Sequence, residues 1–344
     1  MAETILVTGG AGYIGSHTCK TLARAGFIPV VYDNLSTGHA YAIKWGPFVE
    51  GDLNDLPKLS ETMAAFKPKA VLHFASSALV VESVREPAKY YRNNLVTTLT
   101  LLEAMRAHNI ENILFSSSCA TYGHPQFNPI TEDHPQLPVS PYGRTKLMAE
   151  QMISDFSTAY GLKWIFLRYF NAAGADLDTQ VGENHTPETH LIPCIIRAAL
   201  GLDQEITVYG TDFPTPDGSA IRDYIHVQDL ADAHVLALQY LLEKQLSTAI
   251  NLGTGKGFSV LELIQSIQKF CNKTLSVRLE GRRPGEPSIL TADNQKAKKL
   301  LGWKPTHSEL PILIESAWKW HQLLLQNAPL LRDAIQRLEM NARA

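Results

Sequence analysis

Within its first fifteen residues the chain runs from a short apolar, β-branched stretch, Ile5-Leu6-Val7-Thr8, straight into Gly9-Gly10-Ala11-Gly12-Tyr13-Ile14-Gly15. Gly10, Gly12 and Gly15 satisfy G-x-G-x-x-G in a strand-turn-helix setting, which leaves few folds open. A Cβ in the turn would hold backbone N–H groups away from a phosphate, and the last glycine lets helix and strand pack closely. The helix that follows then offers its N-terminal amides to a pyrophosphate. A tight turn without ligand uses the same residues, so the turn alone is a weak signal. Asp33 strengthens it by closing a second run, Val30-Val31-Tyr32-Asp33, at about the separation expected of a carboxylate that accepts adenosine ribose hydroxyls. An acid there repels a 2′-phosphate, so the expected cofactor is NAD and not NADP. Asp52, in Val49-Glu50-Gly51-Asp52-Leu53, reads either as an adenine contact or as a surface cap.

The rest of the chain keeps the rhythm that such a turn implies. Strand-like runs at Thr4 to Thr8, Pro29 to Tyr32, Ala70 to Phe74, Asn112 to Phe115 and Lys163 to Arg168 alternate with amphipathic stretches. Those stretches lie up to about Ala25, from Ala88 to His108, and after Pro141. This is the pattern of βαβ units and a doubly wound parallel sheet, an α/β Rossmann fold. Beyond about Ala175 the alternation weakens, and Pro, Thr, Asp and Gly accumulate through Asp217, as in a smaller α/β substrate domain. Tyr224 to Val227 and Ala249 to Leu252 are apolar enough to return to the sheet, and a helical tail is expected from Leu310 to about Met340. The expected division is therefore discontinuous, with 1–176 plus about 224–252 for the dinucleotide and about 177–223 plus 253–344 for the substrate.

Composition removes other classes. A net charge of −3 without long runs of one sign gives no broad basic surface, so no nucleic-acid partner is expected. Cys19, Cys119, Cys194 and Cys271 form no C-x-x-C pair, which argues against a disulfide framework and a thiolate metal site; no metal is expected. No stretch reaches the roughly 18 apolar residues of a membrane span, and no secretory leader is evident, so a cytoplasmic location is expected.

Chemistry enters with Ser140-Pro141-Tyr142-Gly143-Arg144-Thr145-Lys146. Pro141 suits a first helical turn, and the i, i+4 spacing puts Tyr142 and Lys146 on one face. Tyrosine titrates near ~10, so a neutral-pH base needs the lysine ammonium and a positive nicotinamide ring to favour phenolate. By itself Y-x-x-x-K also fits a partly buried tyrosine beside a surface lysine. Upstream, Asn112 to Gly123 is a strand ending in hydroxyls at the carboxyl edge of the sheet, where doubly wound folds bind ligands. Ser118 is the candidate for holding the reacting hydroxyl, although serines after strands also serve as turn formers.

Together the glycine turn, the serine-bearing strand and Y-x-x-x-K resemble the extended short-chain dehydrogenase/reductase superfamily over nearly the whole chain. Thr8 to His17, His73-Phe74-Ala75, Arg168-Tyr169-Phe170-Asn171 and Arg222-Asp223-Tyr224-Ile225-His226-Val227 are similar in order and spacing to the UDP-glucose/UDP-galactose 4-epimerase family within it. That resemblance implies NAD held by Gly9, Gly12, Tyr13, Ile14, Gly15, Asp33, Asn34, Asp52, Leu53, Phe74, Ala75, Asn93, Ser116, Tyr142, Lys146, Tyr169 and Phe170. It implies a UDP-sugar held by Ser118, Tyr142, Asn171, His190, Leu191, Thr207, Tyr209, Arg222, Arg283 and Glu286, with Tyr142, Lys146 and Ser118 catalytic. A guanidinium fork suits a diphosphate, and Arg282 beside Arg283 leaves the register open. Three positions depart from some members: His190 for an Asn, Leu290 at a sugar-pocket position of variable bulk, and Ala78 for a Lys.

The implied reaction inverts C4 of a UDP-hexose. Tyr142 takes the O4 proton, hydride leaves C4 for NAD, and the 4-keto sugar turns before hydride returns to its other face. A 4,6-dehydratase needs further acid/base groups after the serine-bearing strand, and Cys119-Ala120 carries no carboxylate there. Epimerases of UDP-N-acetylhexosamines, UDP-pentoses or UDP-hexuronates remain open, and a non-catalytic dinucleotide sensor would lack Tyr142, Lys146 or Ser118. The family resemblance also implies a homodimer through the helices at 88–108 and after Tyr142.

Overall fold

The structure is a computed structural model that describes residues 2–283 and 285–341, with side chains as far as residue 327. Residues 1, 284 and 342–344, which the expected domain bounds include, lie outside it. Six strands open the chain: β1 (Thr4–Thr8), β2 (Ile28–Asp33), β3 (Phe48–Glu50), β4 (Ala70–His73), β5 (Asn112–Ser118) and β6 (Lys163–Tyr169). Then come β7 (Asn171–Ala173), β8 (Ile206–Tyr209), β9 (Ile221–Arg222), β10 (Tyr224–His226) and β11 (Thr248–Leu252), followed by β12 (Phe258–Ser259), β13 (Val277–Glu280) and β14 (Ile289–Leu290). The helices are α1 (Tyr13–Arg24), α2 (Leu56–Phe66), α3 (Val80–Arg85), α4 (Pro87–Tyr91), α5 (Thr97–Ala107), α6 (Pro141–Tyr160), α7 (Leu191–Ala199), α8 (Val227–Lys244), α9 (Val260–Cys271), α10 (Gln295–Leu301) and α11 (Leu310–Asn341).

Seven parallel strands form one sheet in the order β11-β6-β5-β4-β1-β2-β3. Ile5, Leu6 and Val7 have no exposed surface, as expected of a strand covered on both faces. One apolar layer joins α1 and α8 to the sheet through Leu22, Leu230 and Leu238, and another joins α2, α5 and α6 through Leu59, Leu101 and Ile153. Successive strands step outward from β1 in one direction and then, from β4, in the other. The crevice at that reversal, beyond the carboxyl ends of β1 and β4, is where open α/β sheets take ligands. A third apolar cluster, with Ile192, Ile195, Val208, Leu263, Ile267 and Leu313, unites α7, β8, α9 and α11 away from that sheet.

Two expectations need correction, and one strand was not foreseen. The stretch Tyr224 to Val227 does not return to the main sheet, because β10 pairs with β7 in a separate two-stranded ladder, whereas Thr248–Leu252 does join it beside β6. The single helix expected over Ala88 to His108 is interrupted: α4 gives way to a π-helical stretch, Arg92–Val96, before α5. Such widened turns cluster at functional sites, and this one carries Asn93 and Asn94. A third strand, β3, had no apolar alternation long enough to announce it, since only three residues pair with β2.

Candidate active site

The glycine turn, Asp33, Phe74, Ala75, Ser116, Tyr169 and Phe170 lie at or just beyond the carboxyl ends of β1, β2, β4, β5 and β6, with Tyr142 and Lys146 brought to them by α6 and Asn93 carried on the π-helical stretch. Gly9 takes φ +72, and a Cβ there would come 2.5 Å from the Ala75 backbone nitrogen, so the turn after β1 rests directly on the chain leaving β4. A Cβ on Gly15 would collide with the Gly9 carbonyl oxygen. Gly12 differs, since its Cβ would meet only the Gly9 oxygen, at 3.3 Å, and would stand in the space before α1. The first-turn amides of Tyr13 and Ile14 open toward that space without intrahelical acceptors. This cradle fits a pyrophosphate.

Asp33 closes β2 and is buried; its two carboxylate oxygens accept from the amides of Ala11 and Leu35, each at 2.9 Å. Burial raises its pKa and those amides oppose the rise. The carboxylate therefore braces the glycine turn while its remaining lone pairs can accept ribose hydroxyls. Asp52 accepts from the Asn54 amide at 2.8 Å, while Asn34 Nδ2 donates to its other oxygen at 2.7 Å, and the cap of α2 is Asp55, which accepts from the Lys58 amide at 3.1 Å. Leu53 is buried beside Asp52. The Tyr13 hydroxyl donates to the Gly174 carbonyl at 2.6 Å, and Asn93 Nδ2 to Ser77 Oγ at 2.9 Å.

The proton-transfer group sits where β5, β6 and α6 meet. α6 begins with Ser140 accepting from the Gly143 amide and with Pro141 in its first turn, and it ends at Gly161 with φ +78. Tyr142 and Lys146 face the sheet and are buried. Lys146 Nζ donates to the Ser116 carbonyl at 2.8 Å and to Ser76 Oγ at 2.9 Å, and stands 5.9 Å from the Tyr142 ring centroid. Ser118, at the end of β5, caps the short turn Cys119–Thr121 by accepting from the Ala120 amide at 3.1 Å. Ser116 Oγ and the Tyr169 hydroxyl are hydrogen-bonded neighbours.

The expected phenolate needs both the lysine ammonium and a nicotinamide charge; in the chain alone, burial pushes Tyr142 up to about 12, with the Ser118 hydroxyl opposing the rise. Lys146 is itself pushed down to about 7 by burial, with Glu150 opposing. The phenol stays neutral, and the lysine keeps its proton only below about pH 7, until a further charge enters the crevice.

Beyond Ser118 a second set of residues converges. Arg222 on β9 donates to Glu286 Oε1 at 2.9 Å, and Glu286 Oε2 is buried without a hydrogen-bond partner. The Arg283 guanidinium lies 3.8 Å from the ring centroid of Tyr209 on β8, whereas Arg282 is tied to Asp212 Oδ1 at 2.6 Å. Of the two adjacent arginines, Arg283 is thus the one placed with Tyr209. Thr207 accepts from Arg278 at 3.2 Å. Asn171 opens β7 and is exposed, Leu191 opens α7, and His190 precedes it with Nδ1 against Glu183. Leu290 stands opposite Arg222 in the β14–β9 pair and packs with Cys119, Tyr122 and Phe170.

Two supporting groups escaped the sequence reading. Ser76 completes the lysine's partners. Glu150, one turn beyond Lys146 on the same helical stripe, accepts from Arg168 at 2.6 and 2.9 Å and from Ser117 at 2.5 Å, all out of water. A carboxylate continuing the inward stripe 142-146-150 was the available signal.

Comparison with known proteins matches this arrangement to one family. A model of the NAD dependent epimerase/dehydratase family matches residues 5–253. A UDP-glucose 4-epimerase of Rhizobium meliloti is 52% identical over 319 residues, covering 93% of this chain and 97% of the relative. The crystal structure of a UDP-glucose 4-epimerase from Brucella ovis in complex with NAD superposes with TM-score 0.91 at 54% identity, covering 92% of this chain and 98% of that one. A UDP-Glc/GlcNAc 4-epimerase from Campylobacter jejuni follows at 0.82 and 40%, covering 94% and 100%.

Proposed function

The chain belongs to the NAD dependent epimerase/dehydratase family, and from that premise we propose that it is an NAD-dependent 4-epimerase that interconverts UDP-galactose and UDP-glucose. The observation that carries the reading is the meeting of Ser118, Tyr142 and Lys146 at the sheet edge beside the glycine turn, with Cys119 and Ala120 where a dehydratase would need carboxylates. The relatives' names and the NAD in the Brucella ovis structure support it.

Bound in the crevice, NAD would supply a hydride acceptor and a positive ring whose charge would favour the Tyr142 phenolate. Tyr142 removes the O4 proton, and Ser118 holds the same oxygen. Lys146 orients the dinucleotide and adds positive charge beside the phenol. Arg222 and Arg283 grip the diphosphate, and Glu286 Oε2 offers an acceptor to a ribose hydroxyl. Anchored by its nucleotide, the sugar can be held as a 4-keto intermediate and still turn, a use of remote binding contacts that leaves the reacting ring free. The first test is incubation with UDP-galactose and chromatographic resolution of products. UDP-glucose is expected, with Tyr142→Phe lowering the rate by about 10²–10⁴-fold, the range for general acid–base groups. If UDP-galactose survives while a UDP-pentose or UDP-hexuronate is epimerised, the substrate assignment fails and the cofactor site stands.

A UDP-N-acetylhexosamine is the second reading, supported by the Campylobacter jejuni relative; Leu290, neither large and aromatic nor small, favours neither sugar. We also assign a cytoplasmic location, in keeping with four unpaired cysteines, and a homodimer; no helix among the described residues is long and apolar enough to cross a membrane. The proposed domain division keeps α8 with the sheet, whose core its Leu230 and Leu241 enter. It also returns α10 and Trp303 to that core, although they lie past residue 253.

A further inference from the structure

Between the glycine turn and the N-terminus of α7, the loop at 183–190 gathers Glu183, His185, Glu188 and His190, each offering one donor atom within 4.8 Å of the others. The geometry points to a binding site for one Zn²⁺-class divalent cation in this cluster, a structural site that shares only His190 with the residues implied to hold the UDP-sugar and none with the proton-transfer group. His185 Nδ1 is 3.2 Å from Glu183 Oε1 and 3.9 Å from Glu188 Oε2, and His190 Nδ1 faces the same Glu183 oxygen. Four donors around Zn²⁺ at bonds of about 2.0 Å stand about 3.3 Å apart, so small side-chain adjustments close a tetrahedron.

The second observation is what the cluster leaves unpaired. The Glu188 side chain is only 4% exposed; its Oε1 accepts from the amides of Thr189 and His190 at 2.8 and 2.9 Å, while its Oε2 has no partner. His185 Nδ1 is likewise buried without a hydrogen bond. Those two atoms stand 3.9 Å apart, a separation that a cation bonded to both can bridge. The two buried carboxylates are balanced in the metal-free chain by protons on His185 and His190, and a divalent ion with two neutral imidazoles balances them in those protons' place. Two nitrogen donors favour zinc or a similar transition ion over Mg²⁺ or Ca²⁺, which take oxygen. With no water position needed to complete the set, the site is closed, as structural zinc sites are.

The surroundings are rigid enough to hold it. Trp320 Nε1 donates to the Glu183 carbonyl at 2.8 Å, and the Tyr13 ring packs edge-on against His185. A cation here would tie the 183–190 loop to α7, immediately beside the first residue of α1. The molecule provides its own contrast in Asp229, Asp232 and His307, which also lie close together. There the Asp229 oxygens are taken by the amides of Thr306 and His307, by His307 Nδ1 and by Ser308 Oγ, leaving nothing for a metal.

The test uses the full chain, stripped with a chelator, reloaded with Zn²⁺ or Co²⁺ and freed of excess. One ion per chain by elemental analysis is expected, together with the visible absorption of tetrahedral Co²⁺ and a Tm raised by Zn²⁺. His185→Gln and Glu188→Gln should each lower retention at least tenfold while keeping the wild-type circular dichroism. Absence of stoichiometric metal in the wild type, or equal retention in both variants, overturns the proposal. An octahedral Co²⁺ spectrum does so too, and the wild-type spectrum decides even where a variant fails to fold. None of these readouts depends on epimerase activity, so this site and the proposed function fail separately.

Discussion

Tyr142 and Lys146 are driven in opposite directions by the same burial, the phenol up to about 12 and the ammonium down to about 7. For the lysine this becomes a statement about stability. In the nucleotide-free chain the folded state sheds its proton near pH 7 and the unfolded state near ~10.4, so between those values the unfolded chain binds more protons. The lysine's contribution to unfolding free energy is therefore most unfavourable below pH 7 and is relieved as pH rises toward about 10.5. Urea titrations of wild type and Lys146→Met should show their difference shifting in favour of wild type across that window; groups such as His185 cancel in the difference. A difference flat with pH would show that the ammonium is not desolvated. The two adjacent arginines give a second prediction. Arg283→Ala should weaken UDP-sugar binding by about 10- to 150-fold, the 1.5–3 kcal/mol of charged hydrogen bonds, and Arg282→Ala by less than about threefold, measured by calorimetry. Which of the two arginines lies against Tyr209 depends on β13 pairing with β8, where Glu280 meets Tyr209, a pairing that no local pattern in the sequence marks.

At the scale of elements, what could be read was what repeats. The strands of a sheet covered on both faces are continuous apolar runs, and Ile5 to Val7, Val71, Leu72 and Ile113 to Phe115 are all buried. The glycine turn and Y-x-x-x-K were legible because each is a local pattern whose chemistry needs neighbours in sequence. β10 pairs away from the expected sheet because a three-residue strand, Tyr224–His226, does not say which partner it takes, and the π-helical stretch has no composition of its own. Glu150 illustrates a contact that binds elements without a local pattern. It sits on α6 and holds Arg168 of β6 and Ser117 of β5, so the strands carrying Ser116, Ser118 and Tyr169 are set against the helix carrying Tyr142. Removing one partner of a buried pair strands the other's charge, at about 3–5 kcal/mol. Glu150→Ala should lose that much stability in urea unfolding, and Glu150→Leu combined with Arg168→Met should recover part of it. If the single variant costs less than about 1 kcal/mol, the pair is not what aligns these elements.

At the scale of the whole molecule, the chain leaves the sheet after β6 and returns for α8 and β11, then again for α10 and Trp303; only the first return has a strand to betray it in the sequence. What the isolated chain leaves open is the outer face of α3, α5 and α6. Val84 is 65% exposed, Val96 50%, Leu99 39% and Met148 41%, all on or beside helices that pack against one another. Apolar side chains grouped on adjoining helices mark an association surface when they form a patch of several hundred Å². Helices of two copies laid against each other would make a self-complementary interface about a two-fold axis, which needs roughly 1,200–2,000 Å² in total to be stable. Sedimentation of the full chain at micromolar concentration should therefore report a dimer. Leu99→Glu with Met148→Glu places like charges against their own copies across the axis and should shift the protein to monomer. Bound dinucleotide should be retained, because neither residue lies in the crevice beyond β1 and β4. A wild-type monomer at tens of micromolar would remove the dimer from the proposal. Dissociation accompanied by loss of NAD would instead mean that the paired helices also hold the π-helical stretch and Asn93 in place for the cofactor.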